Sequence, residues 1–166
     1  MLEVDNADEN SDILRFFADI KKFSTLPDDE LLAFIKAGRL RIYEPGEILI
    51  KEGEYDCWVY ILISGNLQIV KAGKPIGNLQ RNGDMFGEMG IIDGSPRSAS
   101  IYAINKSLVL GLDASQIDQK LKASNLSFCY VLYRLFAEAL AARLRDTTQE
   151  NIRLREAISK IGHIDY

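Results

Sequence analysis

The spacing of hydrophobic residues changes twice along the 166-residue chain. Near both ends, apolar residues recur every three or four positions, which predicts helices. Between Leu40 and Leu112 they instead alternate with polar residues in short runs separated by glycine-containing turns, which predicts strands. Many short strands at nearly even spacing are typical of a sandwich, a jelly roll or a barrel. We therefore expect a mainly β protein with α-helices at both ends.

The first forty residues are expected to hold two helices. Residues 1–10 are acidic and indicate a flexible N-terminus. A helix is predicted from Ser11, a good N-cap, with apolar side chains along one face as far as Ile20. A second helix follows Pro27, because its first turn is acidic, which the helix dipole favours, and Gly38 stands just past its end.

The alternating region predicts seven strands. They are expected at residues 40–43, 47–51, 58–63, 66–71, 75–80, 98–104 and 108–112. Three aromatic residues in these strands, Trp58, Tyr60 and Tyr102, admit two interpretations: a platform on which the base of a ligand stacks, or packing residues of the sheets. Because aromatic residues are generally enriched in strands, we favour packing.

The last third of the chain is predicted to be helical. A short helix is expected from Ser115 to Leu121, and a long one over residues 126–161 would extend about 54 Å if unbroken. So long a helix cannot pack wholly on its own small domain. Within residues 137–161, side chains recur at alternating spacings of four and three, which is typical of a coiled coil. This seam consists of Leu144, Asn151 and Ile158 at position a and of Leu140, Thr147, Leu154 and Ile161 at position d.

Two features of the seam favour a parallel homodimer. Asn151 is a lone polar residue at position a, which favours two chains in register. Glu150 at position g stands five residues before Arg155 at position e, the spacing of an ion pair between parallel chains. The alternative is a single amphipathic helix that lies on the sheet. Residues 162–166 then form a short tail.

Composition disfavours several kinds of function. A formal net charge of −4 disfavours general nucleic-acid binding, which needs a basic face. No apolar run approaches the roughly 18 residues of a membrane span, and no secretion signal is evident, so neither a membrane nor export is expected. Cys57 and Cys129 lie far apart without a histidine nearby, which disfavours a metal site or a disulfide framework. We expect a cytoplasmic protein with reduced thiols.

The region from Gly83 to Ala103 is rich in turn residues. It carries four glycines, one proline and one arginine between two stretches of strand-like sequence. Residues 86–90 predict a short helix whose small residues let backbone amides approach a ligand closely. Together with Arg97, free amides at such a helix start would form a site for an anion. The alternative is that the glycines only permit turns and that Arg97 is a surface charge.

The order of the residues separates these interpretations. The segments Gly83-Asp84-Met85-Phe86-Gly87-Glu88 and Pro96-Arg97-Ser98-Ala99 resemble the phosphate-binding cassette of the cyclic-nucleotide-binding domain family in order and in spacing. The resemblance covers roughly residues 13–161 and implies a β jelly roll over residues 11–125 with a lid or dimerisation helix over residues 126–161. It implies a binding site formed by Phe86, Gly87, Glu88, Met89, Gly90, Pro96, Arg97, Ser98 and Ala99.

The same resemblance implies a role for each charged residue of the cassette, by which we mean residues 83–99. Glu88 would accept a hydrogen bond from the ribose 2′-hydroxyl, whereas Arg97, Ser98 and backbone amides would hold the cyclic phosphate. The residue types suit these roles, because a guanidinium matches an anionic phosphate and a carboxylate matches a neutral hydroxyl that can donate.

A second and narrower resemblance concerns the long helix. Ala142-Arg143-Leu144, followed by Thr147-Thr148, resembles the dimer helix of bacterial catabolite-activator-type regulators. It implies that Thr147 contacts the base in its own subunit and Thr148 the base bound by the neighbour, which would couple ligand binding to helix position. The alternative is that both are ordinary polar residues. The two threonines favour cyclic AMP as the ligand, with cyclic GMP left open.

The resulting hypothesis is a non-enzymatic sensor that binds a cyclic nucleotide, needs no metal or catalytic cofactor, and acts on an unknown downstream protein. Because no helix-turn-helix domain follows the long helix, direct DNA binding is not expected. A metal-dependent jelly-roll enzyme would need several histidines, and the chain has one, His163. A structural dimer whose domain no longer binds nucleotide is the second hypothesis.

Overall fold

The computed structural model describes residues 1–4, 10–20, 23, 27–116 and 126–161. Its strands are β1 (Leu2–Val4), β2 (Gly38–Tyr43), β3 (Ile48–Ile50), β4 (Trp58–Ser64), β5 (Leu67–Lys71), β6 (Lys74–Leu79), β7 (Met85–Phe86), β8 (Ser100–Ala103) and β9 (Ser107–Asp113). Its helices are α1 (Asn10–Asp19), α2 (Asp28–Lys36), α3 (Met89–Asp93) and α4 (Leu126–Ile161), with a 3-10 turn at Ala114–Gln116.

The strands form two antiparallel sheets. One has the order β1-β2-β9-β4-β7 and the other the order β3-β8-β5-β6. Neighbours such as β2 and β9 are distant in sequence, with Leu40 opposite Leu110. The predicted jelly roll with helices at both ends is therefore confirmed, and all seven predicted strands are present with bounds that differ by at most two residues.

Two apolar cores lie on opposite faces of the five-stranded sheet. Side chains alternate along β4, where Val59 and Ile61 belong to the core against the helices, and Tyr60 and Leu62 to the core between the sheets. All four are at most 4% exposed. Burial of one such side chain contributes roughly 1.5–3 kcal/mol, so the strict alternation fixes which face of β4 meets the helices.

Helix α4 is continuous, as predicted, but only its first half packs on the domain. Leu132, Leu135 and Phe136 are buried against the five-stranded sheet and α2. Every residue from 144 to 160 is exposed. The helix therefore leaves the domain close to residue 143, and its second half has no cover within the described chain.

Residues 2–4 correct the expectation of a flexible N-terminus. They form β1, which pairs with the edge of β2. The acidic residue of this strand, Glu3, lies 3.3 Å from the guanidinium of Arg41 and 3.6 Å from that of Arg39. These cationic partners come from β2 and could not be seen in the local sequence. Residues 5–9 lie outside the described part of the chain.

Two predicted short helices also differ from the structure. The helix expected at residues 86–90 begins only at Met89, because Met85 and Phe86 form β7 and Gly87 has a φ of +87°, which no helix residue adopts. The helix expected from Ser115 is a 3-10 turn in its described part. Residues 117–121 and the predicted tail, 162–166, lie outside the described residues.

The aromatic residues of β4 pack inside the sandwich, as expected. Trp58 stacks on Tyr60 with ring centroids 6.5 Å apart, and Tyr60 stacks on Phe86 at 5.3 Å. The guanidinium of Arg41 lies 3.9 Å from the centroid of the Trp58 ring, a distance at which a cation is attracted to the ring face. Burial raises the pKa of Tyr60 far above its ordinary value, so its hydroxyl stays protonated. Within the described residues, no helix is both long enough and apolar enough to cross a bilayer.

The turn between β4 and β5 gives a test of the sandwich topology. Gly65 has a φ of +107°, and a Cβ there would lie 2.6 Å from the Cα of Ser107 at the start of β9. We expect Gly65→Ala to lower the free energy of unfolding by about 3 kcal/mol, because backbone strain and a steric clash combine. The measurement is urea unfolding.

Gly73 provides the matched control. It has a φ of +74°, and nothing lies within 4 Å of a Cβ built there. We expect Gly73→Ala to lower the free energy of unfolding by about 1 kcal/mol, because only backbone strain is added there. Equal losses for the two variants would contradict the packing of this turn against β9.

Candidate functional site

A cavity of about 290 Å³ lies between the cassette, the four-stranded sheet and α4. Its apolar wall is formed by Ile50, Ile69, Ile76 and Ile101. Eight of the nine cassette residues expected to bind ligand line it, namely Phe86, Gly87, Glu88, Met89, Gly90, Arg97, Ser98 and Ala99. Pro96 is exposed and is not part of the lining. Two further residues, Lys71 and Arg143, complete it.

Arg97 is 4% exposed and is held by charged and backbone acceptors. Its Nε donates to Asp56 Oδ2 at 2.9 Å, and one Nη2 proton goes to Asp56 Oδ1, which makes a bidentate ion pair. The backbone carbonyls of Gly87 and Trp58 accept from Nη1 and Nη2. The guanidinium is thereby fixed between the start of β4 and the turn that precedes α3.

The turn at Gly87 is shaped by this guanidinium. A Cβ at residue 87 would lie 2.9 Å from Arg97 Nη1 and 2.9 Å from the Trp58 carbonyl oxygen. Since the φ of Gly87 is also positive, only glycine lets the backbone pass here without strain. Glycine at position 87 thus allows the backbone to approach the Arg97 guanidinium closely.

Asp56 keeps its negative charge beside Arg97. Burial raises the pKa of Asp56, but hydrogen bonds from the Arg97 guanidinium and the Trp58 backbone N–H lower it by more, so the pKa lies below its ordinary value. Asp56 is therefore ionised at neutral pH and compensates the charge of the buried guanidinium. The sequence analysis did not identify Asp56, since it lies 41 residues before Arg97 and in no recognisable motif.

Glu88 has no exposed surface, and it meets a residue of α4. Its Oε1 accepts a hydrogen bond from Arg143 Nη1 at 2.6 Å, and Arg143 Nη2 donates to the Met85 carbonyl at 2.9 Å. Its Oε2 is buried and has no hydrogen-bond partner among the described residues. A buried carboxylate oxygen without a donor is costly, so this atom is available for a donor that enters the cavity.

Arg143 was not among the expected site residues, although it stands in the Ala142-Arg143-Leu144 motif that carried the second resemblance. The two threonines of that motif do not line the cavity. Thr147 is exposed, one helical turn beyond Arg143 on the same side of α4, and Thr148 donates to the Leu144 carbonyl at 2.7 Å. Their proposed contacts with a base stay predictions.

The chemistry of the cavity is that of binding a small polar molecule with one anionic group. Arg97, Glu88 and Arg143 are each held by an oppositely charged partner, and the opposite wall of the cavity is apolar, an arrangement typical of a ligand pocket. Among the described residues, no group of three or more His, Cys, Asp or Glu side chains is placed to hold a metal ion.

Comparisons with known proteins agree with this geometry. The family model of the cyclic nucleotide-binding domain matches residues 40–124. The cAMP-dependent protein kinase regulatory subunit of Debaryomyces hansenii is 33% identical over 100 residues, which are 60% of this chain and 22% of that protein. The cGMP-dependent protein kinase of Eimeria tenella is 32% identical over 127 residues, 76% of this chain and 12% of that protein. The chain thus spans less than a quarter of either relative.

The fold has solved counterparts as well. The crystal structure of a cyclic nucleotide-binding domain from Methylobacillus flagellatus superposes with a TM-score of 0.77 over 92% of this chain and 88% of that one, at 20% identity. The match of the family model runs from β2 past β9 and includes the whole cassette with Glu88 and Arg97. The chain belongs to the cyclic nucleotide-binding domain family.

Proposed function

We propose that this chain binds cyclic AMP and converts binding into a change in the position of α4 within a parallel homodimer. Glu88 lines the cavity, and the observation that carries the binding proposal is that its buried Oε2 has no hydrogen-bond partner among the described residues. A ribose 2′-hydroxyl is a neutral donor of the kind that this oxygen requires.

The other end of the ligand meets positive charge. Arg97 and the backbone of residues 87–90 line the same cavity, and a cyclic phosphate carries one negative charge. The orientation of the nucleotide follows from charge, because the anionic phosphate is attracted by the guanidinium and repelled by Glu88, whereas the neutral hydroxyl can donate to the carboxylate. The base is then directed towards the apolar wall and the exposed side of α4.

Cyclic AMP is proposed over cyclic GMP because of the threonines on α4. Thr147 lies about 6 Å further along the helix than Arg143, and a hydroxyl there can accept from the adenine amino group. The relative from Debaryomyces hansenii is a cAMP-dependent regulatory subunit, whereas that from Eimeria tenella is a cGMP-dependent kinase. Relatives of both kinds are thus known, and the choice of base is decided by titration.

The dimer is proposed from the exposed half of α4. The seam has three strongly exposed apolar side chains on one face of the helix. They are Leu144, Leu154 and Ile158, which are 68%, 55% and 69% exposed. Exposed apolar side chains that share one face indicate an interaction surface. The same register continues upstream through Tyr130 and Tyr133, which are 66% and 50% exposed. A second copy of α4, in parallel and in register, would cover this seam and pair Glu150 with Arg155.

Coupling is proposed through Arg143. This residue belongs to the helix that would form the dimer, and its guanidinium contacts the carboxylate that would receive the ribose. A ligand that draws on the same carboxylate changes the strength of the contact and therefore the preferred position of α4. Binding and helix position are then linked, and the linkage is reciprocal.

The alternative is a structural dimer that no longer binds nucleotide. A relic domain would be free to lose the partners of Arg97 and Glu88, yet both side chains are buried and hydrogen-bonded. An enzymatic role finds less support, because Glu88 is bonded to the Arg143 guanidinium and the described cavity lining contains no second carboxylate and no histidine or cysteine.

The binding proposal is tested by calorimetric titration of nucleotide-free protein with cyclic AMP and with 2′-deoxy cyclic AMP. We expect the deoxy compound to bind about tenfold to a hundredfold more weakly, because a hydrogen bond to a charged group is lost. Arg97→Ala should weaken binding of both by about tenfold or more, whereas Arg81→Ala, at an exposed arginine outside the cavity, should not. Folded protein that binds neither cyclic AMP nor cyclic GMP would establish the structural alternative.

The dimer is tested by sedimentation of two charge-matched variants. Leu154→Glu places a carboxylate in the seam, and Gln149→Glu places one on the opposite side of α4, at an equally exposed position. We expect the first to raise the dimer dissociation constant by at least about a hundredfold, since a charge would be buried between two apolar faces, and the second to leave it unchanged. A wild-type chain that sediments as a monomer at high concentration would refute the dimer.

Coupling is tested by measuring the dimer dissociation constant with and without cyclic AMP. We expect the nucleotide to change it by about fivefold or more in the wild type, and Arg143→Ala to reduce that change. Arg145→Ala removes an exposed arginine of the same helix and should preserve it. If Arg143→Ala leaves the effect of cyclic AMP intact, then helix position is not communicated through Glu88.

A further inference from the structure

The charges around the cavity are balanced in pairs, with one exception. Arg97 is paired with Asp56 and Arg143 with Glu88. Lys71 also lines the cavity, and its ammonium has no carboxylate within ion-pair distance among the described residues. Lys71 therefore supplies the net positive charge at this site.

Acceptors of the protein itself occupy most of the donors of Arg97. A guanidinium has five N–H groups. Two donate to Asp56, one to the Gly87 carbonyl and one to the Trp58 carbonyl. A single N–H on Nη1 is left, so Arg97 offers a phosphate one hydrogen bond, and its charge is already compensated by Asp56.

Lys71 is placed to supply the phosphate with the hydrogen-bond donors and the positive charge that Arg97 does not provide. It ends β5 on the same face as Ile69, which belongs to the apolar wall of the cavity. Its Nζ donates to the backbone carbonyl of Ser98 at 2.9 Å. Ser98 directly follows Arg97 in the cassette. An ammonium has three protons, so two remain free at the end of the cavity where the cyclic phosphate is expected.

We propose that Lys71 is a second ligand-binding cation, which contacts an exocyclic oxygen of the cyclic phosphate. The inference rests on the proposed function and adds to it a residue outside the cassette. It also assigns a task to the β5–β6 hairpin, whose strand end is tied to the cassette through Ser98. Since Lys71 is an exposed residue, its contribution is moderate and is screened by salt.

The test is calorimetric titration of Lys71→Met and Lys74→Met with cyclic AMP. Both variants remove one positive charge from the same hairpin, but Lys74 is not part of the cavity. At about 0.01 M salt we expect Lys71→Met to bind about five- to tenfold more weakly than the wild type, and the deficit to shrink at about 1 M salt. Lys74→Met should match the wild type at both salt concentrations.

Three further measurements decide the outcome: the affinity of Lys71→Arg, the urea midpoint of Lys71→Met, and the affinity of Lys71→Met for cyclic GMP. Lys71→Arg keeps the charge and should retain most of the affinity, and an unchanged urea midpoint should accompany Lys71→Met. Equal affinities for Lys71→Met and Lys74→Met would overturn the proposal, as would a loss confined to cyclic GMP, because guanine has acceptors on its base edge and the ammonium would then lie there. A wild-type chain that binds no cyclic nucleotide would instead refute the proposed function itself.

Discussion

The ion pair between the buried guanidinium of Arg97 and the partly exposed carboxylate of Asp56 joins the parts of this protein that meet at the cavity. A guanidinium removed from water needs a counter-charge and acceptors for its protons. Asp56 ahead of β4, the Trp58 carbonyl and the Gly87 carbonyl supply them, so the start of β4 and the turn before α3 are held at fixed distances. These contacts give the cassette a defined shape, because acceptors of the protein itself take most of the arginine's protons.

The second constraint is the contact between Glu88 and Arg143. Glu88 is more buried than a carboxylate normally is, and the only charged partner that the described residues offer it comes from α4. One oxygen is satisfied and the other is not. The unpartnered oxygen can accept a hydrogen bond from a hydroxyl donor, while the other oxygen of the same carboxylate is bonded to α4 through Arg143.

Helix α4 belongs to two environments. Its first half is part of the apolar core against the five-stranded sheet, and its second half presents an apolar seam to solvent. Arg143 stands at the boundary between them. The core contacts of the helix lie before this boundary, and the exposed seam lies after it. Lys71, at the end of β5, lines the same cavity.

The sequence by itself determined the local features. Alternation of apolar residues predicted the strands, the apolar residues that recur every three or four positions predicted the long helix, and the glycine and arginine pattern of the cassette predicted residues that line the cavity, because each depends only on neighbours in the chain. It could not identify Asp56, Lys71 and Arg143, nor the pairing of β1 with β2, since these contacts join residues that lie tens of positions apart. It also misplaced the start of α3, because Gly87 has a positive φ and is packed against Arg97 and the Trp58 carbonyl, both distant in sequence. The tertiary structure alone decided which cation faces which carboxylate and which carboxylate oxygen is left for a ligand. The reason is burial, because a charged group that is removed from water is destabilising unless it has a partner.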